Sequence, residues 1–80
     1  MRISDPGQPE AARGFLGLSI FELWTDYVAL GGILPPSELG TFLAHEGEIS
    51  GQEYDLLVHA LNEHLAEHDL DHPLAYSEDL

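Results

Sequence analysis

The sequence has no cysteine and no lysine. Without cysteine there is no disulfide to staple the chain and no thiolate site of the zinc-finger kind. Only two cations, Arg2 and Arg13, face fifteen acidic residues, for a formal net charge of −13. From Gly14 to Leu80 there is no Lys or Arg. Ordinary internal salt bridges are therefore excluded from that stretch, and histidine is its only side chain able to become positive. Such a field repels DNA, RNA and anionic membranes, and it attracts basic proteins or cations. Long apolar runs are missing too, since nothing approaches the ~20 residues of a membrane span. Met1-Arg2 leads into Ile3, Ser4, Asp5, Pro6 and Gly7, with no apolar run like the core of a signal peptide. The expectation is a cytoplasmic protein with no nucleic-acid and no membrane partner.

Eighty residues allow one small domain. Folding at this size hides about 60–65% of the surface that the unfolded chain exposes, so the core is thin. With no disulfide available, stability must come from well-packed helices or from self-association as a homodimer.

Met1 to Arg13, with Pro6, Gly7 and Pro9 and few apolar residues, reads as a flexible leader holding at most a helical turn from Pro9 to Arg13. The next stretch opens on a capping box, Ser19-Ile20-Phe21-Glu22. Ile20, Leu23, Trp24, Tyr27, Val28 and Leu30 then cover a broad arc, opposite Glu22, Thr25, Asp26 and Ala29. Gly31-Gly32 ends this helix. Pro36 suits a helix start, and Leu39, Phe42 and Leu43 keep helical spacing, with Gly40 an internal weakness or a close crossing and Gly47 a natural C-cap. Ser50-Gly51-Gln52-Glu53 is a second capping box. Tyr54, Leu57, Val58, Leu61, Leu65 and His68 follow on one face. Pro73 ends regular helix and restricts His72. Leu70, Leu74 and Tyr76 are apolar enough to lay the tail over the core. Strand-like alternation is absent.

Several patterns invite a chemical reading. The second and third helices with their Gly47 turn resemble a helix-turn-helix in length, but Gln52, Glu53 and Asp55 would bring carboxylates to phosphate. His64 and His68, at i, i+4, could share a divalent cation, with Asp69 or Asp71 adding oxygen and His72 lying past the helix end. Asp55, His59, Glu63 and Glu67 step along the outer face of the same helix, with Leu56 and Ala60 beside them, so this acidic stripe is a candidate recognition surface. Gly17-Leu18-Ser19-Ile20-Phe21 lacks the second glycine of a nucleophile elbow. No Gly-rich phosphate loop occurs.

These observations predict an all-α protein: a three-helix bundle with helices near 19–30, 36–46 and 50–68 and a C-terminal tail packed on it. The domain spans 14–76, with 1–13 a leader and 77–80 frayed. The expected core is Leu18, Ile20, Leu23, Trp24, Tyr27, Val28, Leu39, Phe42, Leu43, Tyr54, Leu57, Val58, Leu61 and Leu65. The expected function is a non-enzymatic acidic interaction or regulatory module, without cofactor, that self-associates or docks a basic protein through Asp55, Leu56, His59, Glu63 and Glu67. The alternatives are a divalent metal-binding protein using His64 and His68, and a pH-responsive module driven by the five histidines.

Overall fold

Glycine and proline punctuate the chain, and the computed structural model, which describes residues 1–69 and 73–80, folds the stretches between them into short elements. In order these are β1 (Arg2–Ile3), α1 (Gly7–Leu16), α2 (Ile20–Ala29), α3 (Pro36–Leu43), β2 (Ile49–Ser50) and α4 (Gly51–Glu67), then a 3-10 turn at Ser77–Asp79. No helix among the described residues is long and apolar enough to cross a membrane.

The first capping box forms as the sequence predicts. Ser19 Oγ accepts from the Glu22 N–H at 3.0 Å, and Glu22 Oε1 accepts from the Ser19 N–H at 2.9 Å. At the other end of α2, Gly31 takes φ 104° and its N–H caps the Val28 carbonyl. α3 stops at Leu43, short of the expected residue 46. The left-handed residue that ends it is His45 (φ 65°), not Gly47; histidine is among the non-glycine types that tolerate this region. α4 has 17 residues and is about 25 Å long, most of the molecule's longest dimension of 30 Å. It is contacted by α1, α2, both strands and the 3-10 turn.

The expected leader is part of the fold. Arg2 pairs with Ser50 and Ile3 with Ile49 in an antiparallel ladder, and the Gly51 N–H donates to the Met1 carbonyl at 2.9 Å. α1 has ten residues and packs on α3 and α4. Among the described residues, four helices and a two-stranded sheet therefore replace the three helices expected. Residues 1–13 conceal this because the apolar groups they bury are Ile3, Pro6, Pro9 and Ala12. Two prolines read as breakers, yet Pro9 sits in the first turn of α1, where its missing N–H costs nothing. A two-residue strand is too short to show alternation.

Leu23, Tyr27, Leu39, Phe42, Leu43, Tyr54, Leu57, Val58, Leu61 and Leu65 are buried as expected, with Leu18, Ile20 and Trp24 packed at the margin. α3 meets α4 through Phe42, which stands edge-on to Tyr54 with ring centroids 6.2 Å apart. Val28 departs from the expected core and is exposed. Ile3, Ala12, Ile49 and Ala60 join it instead. Ala60, read from the sequence as lying beside the acidic stripe, is buried because α4 is covered on more than one side.

Candidate functional site

A buried polar network fixes the geometry around α2. Ser50 Oγ accepts from the Glu53 N–H at 3.2 Å, which is half of the second capping box. The other half is absent, because the Glu53 side chain turns inward instead of back to its helix start. Its Oε1 accepts from the Tyr27 hydroxyl and from the Ile33 N–H at 3.2 Å. The same hydroxyl accepts from the Leu34 N–H at 2.9 Å. Trp24 Nε1–H donates to the Leu34 carbonyl at 2.8 Å. Three of these hydrogen bonds hold the connector at Ile33 and Leu34, and the Tyr27–Glu53 bond ties α2 to α4 beneath it. Burial, and then the bond to Glu53, push the Tyr27 hydroxyl up to about 12. Among the described residues no buried side-chain nitrogen or oxygen lacks a partner.

With the core side of α2 committed, its other side is open. Phe21 is 63% exposed and Val28 38% exposed; with Thr25 they follow i, i+4, i+7 spacing along one face of the helix. Phe21 leans on Trp24, with ring centroids 5.5 Å apart and planes tilted by 36°. Because Trp24 is held by its bond to Leu34, the aromatic pair is preorganised. Beside Phe21 lies a shallow groove of about 330 Å³, lined by Leu18, Phe21, Glu22, Thr25, Asp26 and His64. Leu18 is set by the αL turn at Gly17 (φ 70°) and by Arg13 Nη1, which donates to the Leu18 carbonyl at 2.7 Å.

Acids rim this groove. His64 Nε2 meets Asp26 Oδ2 at 2.5 Å, tying α4 to α2, and its Nδ1 lies 3.9 Å from Glu67 Oε2. Hydrogen bonds with the Ser19 backbone N–H and then the Ser19 hydroxyl hold the Glu22 carboxyl below the usual carboxylate range, so it stays negative into mild acid. The site therefore joins an apolar floor to an anionic edge. Phe21 and Val28 escaped the sequence reading for different reasons. Phe21 was read only as part of a cap, and Val28 as core. The signal for both was their seven-residue spacing on a helix that carries apolar groups on two sides.

The five stripe residues divide. Asp55 is engaged by the chain's own tail: its Oδ1 accepts from the Ser77 N–H at 2.7 Å and its Oδ2 from the Ser77 hydroxyl at 3.0 Å. Leu56 packs against the core. His59, Glu63 and Glu67 are exposed, with His59 Nε2 2.9 Å from Glu63 Oε1 and His59 Nδ1 3.3 Å from the Tyr76 hydroxyl. Asn62, between them, exchanges two bonds with the backbone of Leu74. The tail thus lies along this side of α4 and ends in a 3-10 turn at Ser77–Asp79 where fraying was expected.

His64 is paired with Asp26, and His68 is the exposed C-cap of α4 instead of a member of its apolar face. Among the described residues no group of three His, Asp or Glu side chains is placed so that it could hold a metal ion. Asp69 takes φ 57° just past the helix. Leu70, Asp71 and His72 lie outside the described residues.

Hydroxyl groups have structural work. Ser19 and Ser50 cap helices, Thr25 and Thr41 donate to the carbonyls four residues earlier, and Ser77 holds the tail. What the arrangement offers is contact, an aromatic patch and shallow groove edged by carboxylates. Comparison with family models, curated proteins and solved structures gives no match to this chain.

Proposed function

We propose that this chain is a small, acidic, non-enzymatic interaction module that docks a basic protein. The observation that supports this most is where the two permanent cations go. Arg2 bonds to the Glu48 side chain and to the Glu48 carbonyl, and Arg13 is paired with Glu10. Each arginine is already occupied by a neighbouring acid, so the charge left for a partner is carboxylate. An anionic surface of this kind steers cationic proteins and opposes the approach of a second copy.

The test is a calorimetric titration with two synthetic peptides at low salt. One is lysine- and leucine-rich, and its counterpart replaces each lysine with glutamate. The reading requires saturable binding of the first and none of the second. Equal binding of both, or of neither, removes it. The metal alternative rests on His64 and His68, with Asp69 or Asp71 adding oxygen, and Asp26 already meets the Nε2 of His64.

A further inference from the structure

We infer that the docking surface is the Phe21 groove between α2 and the C-terminal half of α4, and that its occupant is a cationic amphipathic segment. That segment inserts one aliphatic side chain beside Phe21 and places Arg or Lys against Asp26 and Glu22. The inference rests on the basic-partner reading and gives it a location.

Three observations converge there. Phe21 is 63% exposed and leans on Trp24, so an incoming apolar group buries aromatic surface already held against a neighbour. Leu18 and Thr25 line the groove beside it. The edge is anionic: Glu22 is held ionised by its cap, and Asp26 is fixed in place by His64. A central aromatic anchor ringed by polar groups is the usual anatomy of an energetic hot spot.

Charge selects the occupant. A second copy would bring its own Glu22 and Asp26 to the same edge, within a body of formal charge −13, whereas a cationic segment neutralises both. The acidic stripe on α4 is the weaker alternative: in both places acids have partners within the chain, but only the groove sets an exposed aromatic, Phe21, beside them, whereas Leu56, the stripe's large apolar residue, is packed on the core. Phe15, 72% exposed at the end of α1, provides an internal control: it is equally apolar but does not line the groove.

Trp24 is the only tryptophan and touches Phe21, so its fluorescence reports on the groove. The probe is a lysine–leucine peptide with leucines at i, i+3, i+4 and i+7, compared with a scrambled peptide of identical composition. The patterned peptide is expected to shift Trp24 emission and to bind at least about tenfold more tightly than the scrambled one. F21S and D26N should each weaken patterned binding several-fold, while F15S leaves it unchanged; circular dichroism of each variant confirms that it is folded. If both peptides bind wild type equally and F21S binds as wild type does, the location is wrong and the basic-partner reading stands. If neither peptide binds, that reading falls and the location with it. A loss with F15S equal to that with F21S also overturns the location, as does a doubling of wild-type mass in light scattering without peptide.

Discussion

Tyr27 and Glu53 tie α2, α4 and the chain between α2 and α3 together, because one hydroxyl and one carboxyl serve two backbone N–H groups as well as each other. Tyr27→Phe leaves the Leu34 N–H without its acceptor and removes one of the two donors to Glu53. Urea unfolding should show a loss of about 1–3 kcal/mol, and an unchanged midpoint would contradict the network. Gly32 lies against the same ring: a Cβ there would come within 2.2 Å of Tyr27 Cζ. Gly32→Ala should therefore cost about 2–3 kcal/mol through overpacking. Alkaline titration offers an independent check. The unfolded chain gives up the Tyr27 proton near its ordinary value of 10.0, whereas the fold holds it to about 12. Between those pH values the unfolded state binds fewer protons, so stability is full below pH 10 and falls as pH rises toward 12. Tyr54 is pushed in the same direction, first by burial and then by the charges of Asp5 and Asp55. Tyr27→Phe should flatten part of this alkaline slope. Little of the network was legible in the sequence. Glu53 occupies a position where a glutamate commonly reaches back to cap its own helix, and only a tyrosine 26 residues away decides that it turns inward.

The elements were read best where periodicity is long and capping chemistry is local. The capping box at Ser19, Pro36 in the first turn of α3 and the apolar face of α4 from Tyr54 to Leu65 appear as expected, with His68 the exception. The N-terminal segment is hard to foresee because a strand of two residues and a helix rich in proline, glycine and alanine have almost no pattern of their own. Their burial comes from partners distant in the chain, such as Ile49 opposite Ile3. Gly40 shows the same division. The sequence marks it as a weak point or a close crossing, and the structure places a Cβ there at an ordinary 3.8 Å from Ile20 Cγ2. Gly40→Ala should therefore stabilise the protein by about 0.5–1 kcal/mol, through helix propensity and a less flexible unfolded chain. A drop in thermal midpoint would mean that α2 and α3 approach more closely than the structure shows. The tail depends on Asp55, which takes both donors of Ser77. Asp55→Ala should speed amide exchange at Ser77 and leave the α2 amides protected. Uniform acceleration would show instead that the tail and the bundle open as one unit.

At the scale of the whole molecule, composition was the most direct guide, since a formal charge of −13 is fixed before any folding. The structure adds how that charge is distributed. The two arginines are paired with Glu48 and Glu10, Glu22 and Asp26 edge an apolar groove, and the expected stripe on α4 is partly covered by the chain's own tail. The groove itself was not legible, because Leu18, Phe21 and His64 come from a turn and two helices whose packing brings them together. Self-repulsion should keep the isolated protein monomeric at low ionic strength, with a mass of 8.8 kDa in light scattering. The central claim is that this field, focused at the Phe21 groove, captures a basic segment. Its most direct test is the affinity of the patterned lysine–leucine peptide measured by calorimetry from about 20 to about 200 mM salt. Affinity is expected to fall steeply across that range, with the Trp24 shift present wherever binding is seen. Affinity that stays level as salt rises, or binding that leaves Trp24 emission unmoved, would contradict it.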